Sequence, residues 1–333
     1  MVNLQMASVA YKPFRYEWAF EFYKIQQQIH WLPEEVALSE DVKDWNAKLD
    51  DNEREFLAHI FRFFTQSDID VADGYISQYL PYFKPVEVRM MLAAFANMES
   101  VHIDAYALLI ETLGMPEIEF SKFMQYKEMR DKHDWICDRA NIADNTDPID
   151  TLLTIGAYGA LTEGLQLFAS FAMLLNFPRQ NKMKNMGQVI TWSVRDESLH
   201  CEGISRLFKT YAMENKINLN DKRIKERMVA ETERAIYFED KFIDLAFSAG
   251  GIKGLTANEV KLYIRYIADW RLRQFGFKQN LYGIENHPLP WLLSILNGVE
   301  HANFFETRAT EYSKGATVGD WNDVWNNYKF ELD

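Results

Sequence analysis

Glu99-Ser-Val-His102 and Glu197-Ser-Leu-His200 decide how this chain is read. Each places a carboxylate and an imidazole three residues apart. On a helix that spacing sets both side chains on one face, a turn apart, so that they converge on one point. Of the seven histidines only these two follow a Glu by three positions. Composition alone would supply on the order of 0.5 such pairs. The neighbours point inward: Met98, Val101 and Ala105 flank the first pair, Trp192, Val194 and Leu199 the second. A Glu buried alone is costly, whereas a Glu beside His is tolerable when a cation neutralises it.

Around these phrases nearly every long segment has helical periodicity, and the alternation typical of strands is scarce. Helices are expected at about 14–29, 50–79, 86–113, 120–134, 148–176, 183–213, 219–248 and 256–279. Pro81 and Pro85 are expected to part the second from the third, and Asn176-Phe-Pro178 to end the fifth. The stretch from Leu152 to Phe177 is apolar enough to resemble a membrane span, but it carries Thr162, Glu163 and Gln166 at its middle. An ionised Glu there would be expensive in lipid, so the stretch reads as the central helix of a large bundle.

Glu163 is the only acid in that run, which makes it the leading third acid. A fourth comes from the helix before Glu99, where Asp68, Asp70 and Asp73 are candidates and periodicity does not choose among them. Two Glu-x-x-His pairs and one acid from each of two further helices make the dimetal-carboxylate site of ferritin-like bundles. The fold class expected is therefore all-α, a ferritin-like bundle with additional helices. An oxygen-rich set with one imidazole per metal suits Fe(II) or Mn(II), and such a site leaves positions where dioxygen can bind. Tyr106, four residues after His102, lies one turn along on the same face and close to any metal held there.

The 333 residues are 48% hydrophobic and 26% charged, with a net charge of −13. That acidity argues against nucleic acid and anionic membrane as partners. Cys137 and Cys201 have no CxxC spacing, which suggests neither a disulfide framework nor zinc and fits a reducing cytoplasm. The N-terminal residues contain no apolar run of signal-peptide length. Residues 1–311 read as one helical body. Residues 312–333 read as a tail whose Trp321, Trp325 and Tyr328 share a helical face and could dock into a partner.

With His30-Trp31-Leu-Pro-Glu-Glu, Thr65-Gln-Ser-Asp68, Glu99-Ser-Val-His102-Ile-Asp-Ala-Tyr106, Glu163 and Arg195-Asp196-Glu197-Ser-Leu-His200 in place, the sequence resembles the radical-generating small subunit of class I ribonucleotide reductase over about residues 14–312. In that family the first acid precedes the first pair by about 31 positions and the central acid precedes the second by about 34. The resemblance thus implies Asp68, Glu99 and His102 on one metal, and Glu163, Glu197 and His200 on the other. It implies iron, with manganese or a mixed manganese–iron pair as alternatives. Tyr106 argues against the subclass that carries Phe there and uses the mixed centre.

It further implies that the dimetal centre activates oxygen to form a tyrosyl radical at Tyr106. A large catalytic subunit then uses that radical to reduce ribonucleotides, and the small subunit, a homodimer, is active only with it. Trp31 and Asp196 match the family's relay from the metal-bound His to the subunit surface, and Tyr312, or alternatively Tyr328, the mobile relay of the docking tail. Asp196 as acceptor from His102 also makes independent sense, since it would fix that ring's tautomer. The radical pocket matches Leu167, Phe171 and Ser193, where larger apolar residues are common at the first and last. Ser193 is therefore expected to risk admitting water. Two other readings compete: a ferritin-like di-iron oxidase or oxygenase acting directly on an organic substrate, and a ferritin-like metal store.

Overall fold

The computed structural model describes residues 3–142, 147–278 and 280–296, without the side chains of residues 139 and 140. The tail 312–333, with Tyr312 and Tyr328, lies outside the described residues. The chain divides into two compact units, Met1–Leu289 and Pro290–Asp333, and of the second only a helical stretch at 290–296 is described.

Among the described residues of the first unit we number nine longer helices in chain order: α1 (Glu17–Gln28), α2 (Asp41–Ala47), α3 (Asp51–Asp73), α4 (Val86–Thr112), α5 (Lys127–Ala140), α6 (Pro148–Arg179), α7 (Lys184–Glu214), α8 (Lys222–Ala246) and α9 (Ala257–Gln274). Among the described residues no β-strand occurs; Ile252 and Leu255 form an isolated bridge. Local chemistry starts these helices where the sequence puts a cap. Asp50 accepts from the Glu53 N–H at 2.8 Å while Glu53 reaches back to the Asp50 N–H, and Thr256 and Glu259 repeat that box at α9. Asp147 caps α6 by accepting from the Ile149 N–H, with Pro148 in the first turn, where its missing donor costs nothing.

α3 and α4 pack along one another, α1 lies on α4, and α6 lies on α7, so the carboxylates of four helices face a common interior. The most apolar window of α6 is wholly buried, which bears out its reading as a central helix. Its middle, Ala157–Gln166, widens to π geometry. At Gly159 a Cβ would sit 2.3 Å from Ile204 Cγ2, so only glycine lets α6 approach α7 this closely.

Several boundaries differ from the periodicity reading. α3 passes into a π segment, Gly74–Tyr79, and then Leu80–Tyr82, so Pro81 sits inside helical structure, one residue before its end. α6 runs through Pro178 to Arg179, and the ring is accommodated because Gly187 faces it, where a Cβ would lie 2.2 Å from Pro178 Cγ. The helix expected at 120–134 is a 3₁₀ stretch, Glu117–Gln125, followed by α5, with Tyr126 extended between them.

Candidate metal centre

Asp68 comes from α3, Glu99 and His102 from α4, Glu163 from the π segment of α6, and Glu197 and His200 from α7. None of the six is more than 1% exposed. Ligand atoms of Asp68, Glu99 and His102 lie within 4.8 Å of one another, and so do those of Glu99, Glu197 and His200. Glu163 belongs to neither triad. Glu99 presents Oε2 to His102 Nδ1 at 3.4 Å and Oε1 to His200 Nδ1 at 2.8 Å. Glu197 does likewise, at 3.3 Å to His102 and 3.8 Å to His200. The resemblance divides the six ligands three and three. In the structure Glu99 and Glu197 both stand between the two imidazoles, one oxygen toward each.

These atoms are close without being hydrogen-bonded. Both oxygens of Glu99, Glu163 and Glu197, and Nδ1 of both histidines, are buried and have no hydrogen-bond partner. Buried acceptors that approach one another while none donates are costly, and a shared cation satisfies all of them at once. The charges agree: four carboxylates match two divalent cations. Burial, reinforced by the Glu197 and Glu99 charges, pushes Glu163 well above the carboxylate range, and burial with Glu99 does the same to Asp68. The residues fit a dimetal centre of oxygen and imidazole ligands.

The far side of each ring is anchored. His102 Nε2 lies 3.2 Å from Asp196 Oδ2, the same oxygen that accepts from Trp31 Nε1 at 2.8 Å. Asp196 is fully buried; burial opposes its charge, but His102, Arg195 and Trp31 together keep its pKa below the usual value. His200 Nε2 meets Gln26 Oε1 at 3.1 Å. With each Nε2 facing an acceptor, each Nδ1 keeps its lone pair for a metal. Gln26 went unnoticed in the sequence. Its only signal is spacing, since it lies seven residues after buried Ala19 and so shares its helical face. Trp31 is itself only 2% exposed, and its ring lies 5.1 Å from that of half-buried Trp192.

Tyr106 lies on α4 beyond His102, with ring centroids 6.4 Å apart. It is buried against Phe64, which stacks on Phe171, and Leu167 is buried as well. Its hydroxyl donates to Ser193 Oγ at 2.8 Å, and Ser193 donates on to the Val189 carbonyl at 3.1 Å. The Ser193 hydroxyl is thus engaged within the protein and fully buried. Burial, with the Asp68 charge, raises the phenol well above its ordinary pKa, so it keeps its proton.

The profile of the ribonucleotide reductase small chain family matches residues 8–288. A probable ribonucleoside-diphosphate reductase small subunit of Invertebrate iridescent virus 6 is 42% identical, over 95% of this chain and 97% of its own. The ribonucleoside-diphosphate reductase subunit beta of Chlamydia pneumoniae is 29% identical over 92% of this chain and 90% of its own. Among solved structures, a putative class I ribonucleotide reductase from Bacillus halodurans superposes with a TM-score of 0.77 at 24% identity, covering 84% of this chain and 99% of that one. The dimanganese(II) NrdF protein of Streptococcus sanguinis has the same fold, with a TM-score of 0.70 at 19% identity over 81% of this chain and 92% of that one. A family profile spanning most of the chain, and a relative alike from end to end, establish that this chain belongs to the small-chain family of ribonucleotide reductase.

Proposed function

We propose that this small subunit of ribonucleoside-diphosphate reductase generates and stores a radical on Tyr106 for its large subunit. The observation that carries the reading is the unbroken run from Trp31 through Asp196 and His102, which ends one helical turn from a buried tyrosine. Asp68, Glu99, His102, Glu163, Glu197 and His200 would hold two metal ions, iron first and manganese as the alternative. The pair, when bound, supplies the oxidising power of dioxygen.

Tyr106 then gives up an electron and its phenolic proton together, because burial makes the phenolate costly. The proton has no onward route through Ser193, whose hydroxyl is committed to the Val189 carbonyl. Phe64, Phe171 and Leu167 keep water and reductants away from the oxidised ring. Asp196 holds the His102 and Trp31 N–H groups on one oxygen, so that an electron crossing from Trp31 and a proton shift at Asp196 can be matched. The large subunit is met through segment 312–333, with Tyr312 as the relay, as a homodimer in the cytoplasm.

Apo protein loaded with Fe(II) and exposed to air is expected to develop a tyrosyl-radical absorption and an organic-radical EPR signal. Tyr106→Phe should abolish both and keep two metals per chain. A tyrosyl signal surviving that substitution would refute the assignment. Parallel loading with Mn(II), with and without a reduced flavoprotein, identifies the competent metal.

A further inference from the structure

A third cluster of ligand-type side chains lies outside the centre described above. We propose that Asp70, His133 and Cys137 form a separate surface site for one borderline-soft divalent cation, Zn(II) being the natural fit, which ties α5 to α3. His133 and Cys137 are four residues apart on α5 and so share a face, and Asp70 faces them from α3. Their ligand atoms all lie within 4.8 Å of one another. His133 Nε2 is 3.0 Å from Asp70 Oδ2 and 3.8 Å from Cys137 Sγ. Tetrahedral zinc with ordinary bond lengths has edges of about 3.4 Å for N···O and about 3.6 Å for N···S. The two edges that meet at His133 Nε2 are within a few tenths of an ångström of those values.

Asp70 Oδ2 pairs with His133 Nε2 at 3.0 Å, and that pairing raises the imidazole to about 11, so a cation binding here takes the place of the Nε2 proton. The outer partners are in place as well. Asp134 Oδ1 sits 3.2 Å from His133 Nδ1, an acceptor for that nitrogen when Nε2 binds a cation, and Gln66 Nε2 donates to the other oxygen of Asp70 at 3.2 Å. One thiolate, one carboxylate and one neutral imidazole balance a divalent cation, and the thiolate makes the set one for zinc or cobalt rather than magnesium or manganese. Cys137 is exposed, so a water can complete the coordination. The site is independent of the dimetal centre: two residues along α3, the side chains of Asp68 and Asp70 point to different faces, the first buried and the second half-exposed.

Co(II) is the probe, because the dimetal centre contains no sulfur ligand. Reduced full-length protein titrated with Co(II) is expected to develop a near-ultraviolet thiolate-to-cobalt charge-transfer band that saturates at one equivalent and is displaced by Zn(II). Cys137→Ser should remove the band. His133→Ala or Asp70→Asn should weaken Zn(II) binding by more than the roughly 100-fold that losing an outer partner costs. Zn(II), which the dimetal centre also takes, should raise the melting temperature of the wild type more than that of Cys137→Ser. The absence of the band in reduced wild type, its survival in Cys137→Ser, or an equal Zn(II) effect on melting in both proteins would overturn the proposal.

Discussion

Asp196→Asn isolates what an ionised acceptor does for a metal ligand, because asparagine keeps the shape and removes the charge. Oδ2 of Asp196 holds the His102 ring at 3.2 Å and the Trp31 ring at 2.8 Å, in a place where all three side chains are at most 2% exposed. A hydrogen bond to a charged group is worth about 1.5–3 kcal/mol and a neutral one about 0.5–1.5, so the exchange costs on the order of 1 kcal/mol per bond. The His102 share appears as lost basicity at Nδ1, and losing such an outer partner lowers metal affinity by about 10–100-fold. That factor corresponds to about 1.4–2.7 kcal/mol. Mn(II) gives a direct assay, since the EPR signal of the free ion disappears on binding. Of two equivalents in the wild-type isotherm, one should shift by that factor in Asp196→Asn. Trp31→Phe, which removes only the other donor, should leave both within about threefold, well below the loss expected from a changed ligand partner. Two unshifted equivalents in Asp196→Asn, with the fold intact by circular dichroism, would refute the claim that this carboxylate tunes the ligand.

Gln26→Leu removes the acceptor from His200, and because that acceptor is neutral its Mn(II) affinity loss should fall near the lower, tenfold end of the range in the same titration. Ser193→Ala strands the buried Tyr106 hydroxyl and should cost about 1–3 kcal/mol in urea unfolding, with the radical shorter-lived by EPR. Lys132→Met strands Glu239, its fully buried partner at 2.5 Å, and should cost about 3–5 kcal/mol, most of it recovered by Lys132→Met/Glu239→Leu. Burial, opposed by Lys132, raises Glu239 from 4.5 to about 7. Between those values the folded protein binds more protons than the unfolded one, so wild-type stability should decline as pH rises through that window, and Glu239→Gln should flatten the decline.

The site was more legible than the outline of the helices that carry it. Glu99, His102, Glu197 and His200 could be found because a three-residue offset has one meaning on a helix, and Glu163 because a lone acid in an apolar run has few explanations. Asp68 could not be separated from Asp70 and Asp73 on periodicity, because α3 is buried on several faces and carries acids on more than one of them. Gln26 was invisible for a related reason: it stands in a run of three glutamines and becomes a partner of His200 only through tertiary packing. The π segments at Gly74–Tyr79 and Ala157–Gln166 were equally hidden, since they arise from close helix packing and not from a distinctive composition. Pro81 and Pro178 were legible as helix stops, since the helices end one residue beyond each, at Tyr82 and Arg179.

The two imidazoles mark an asymmetry that the sequence motif conceals. The phrases Glu99-Ser-Val-His102 and Glu197-Ser-Leu-His200 look interchangeable, yet one ring rests on an ionised carboxylate and the other on a neutral amide. A ring held by a carboxylate donates more strongly to whatever it ligates. The same side bears Tyr106 and Trp31, and a regular helix, α4, fixes its geometry. The opposite side depends on Glu163, which sits in a widened turn outside both compact triads. π turns gather where a backbone must place a side chain that regular geometry would misdirect. The His102 side is therefore the more rigid and the more electron-rich. If the two sides were equivalent, Asp196→Asn and Gln26→Leu would weaken metal binding by the same factor, so the ratio of those two effects measures the asymmetry directly.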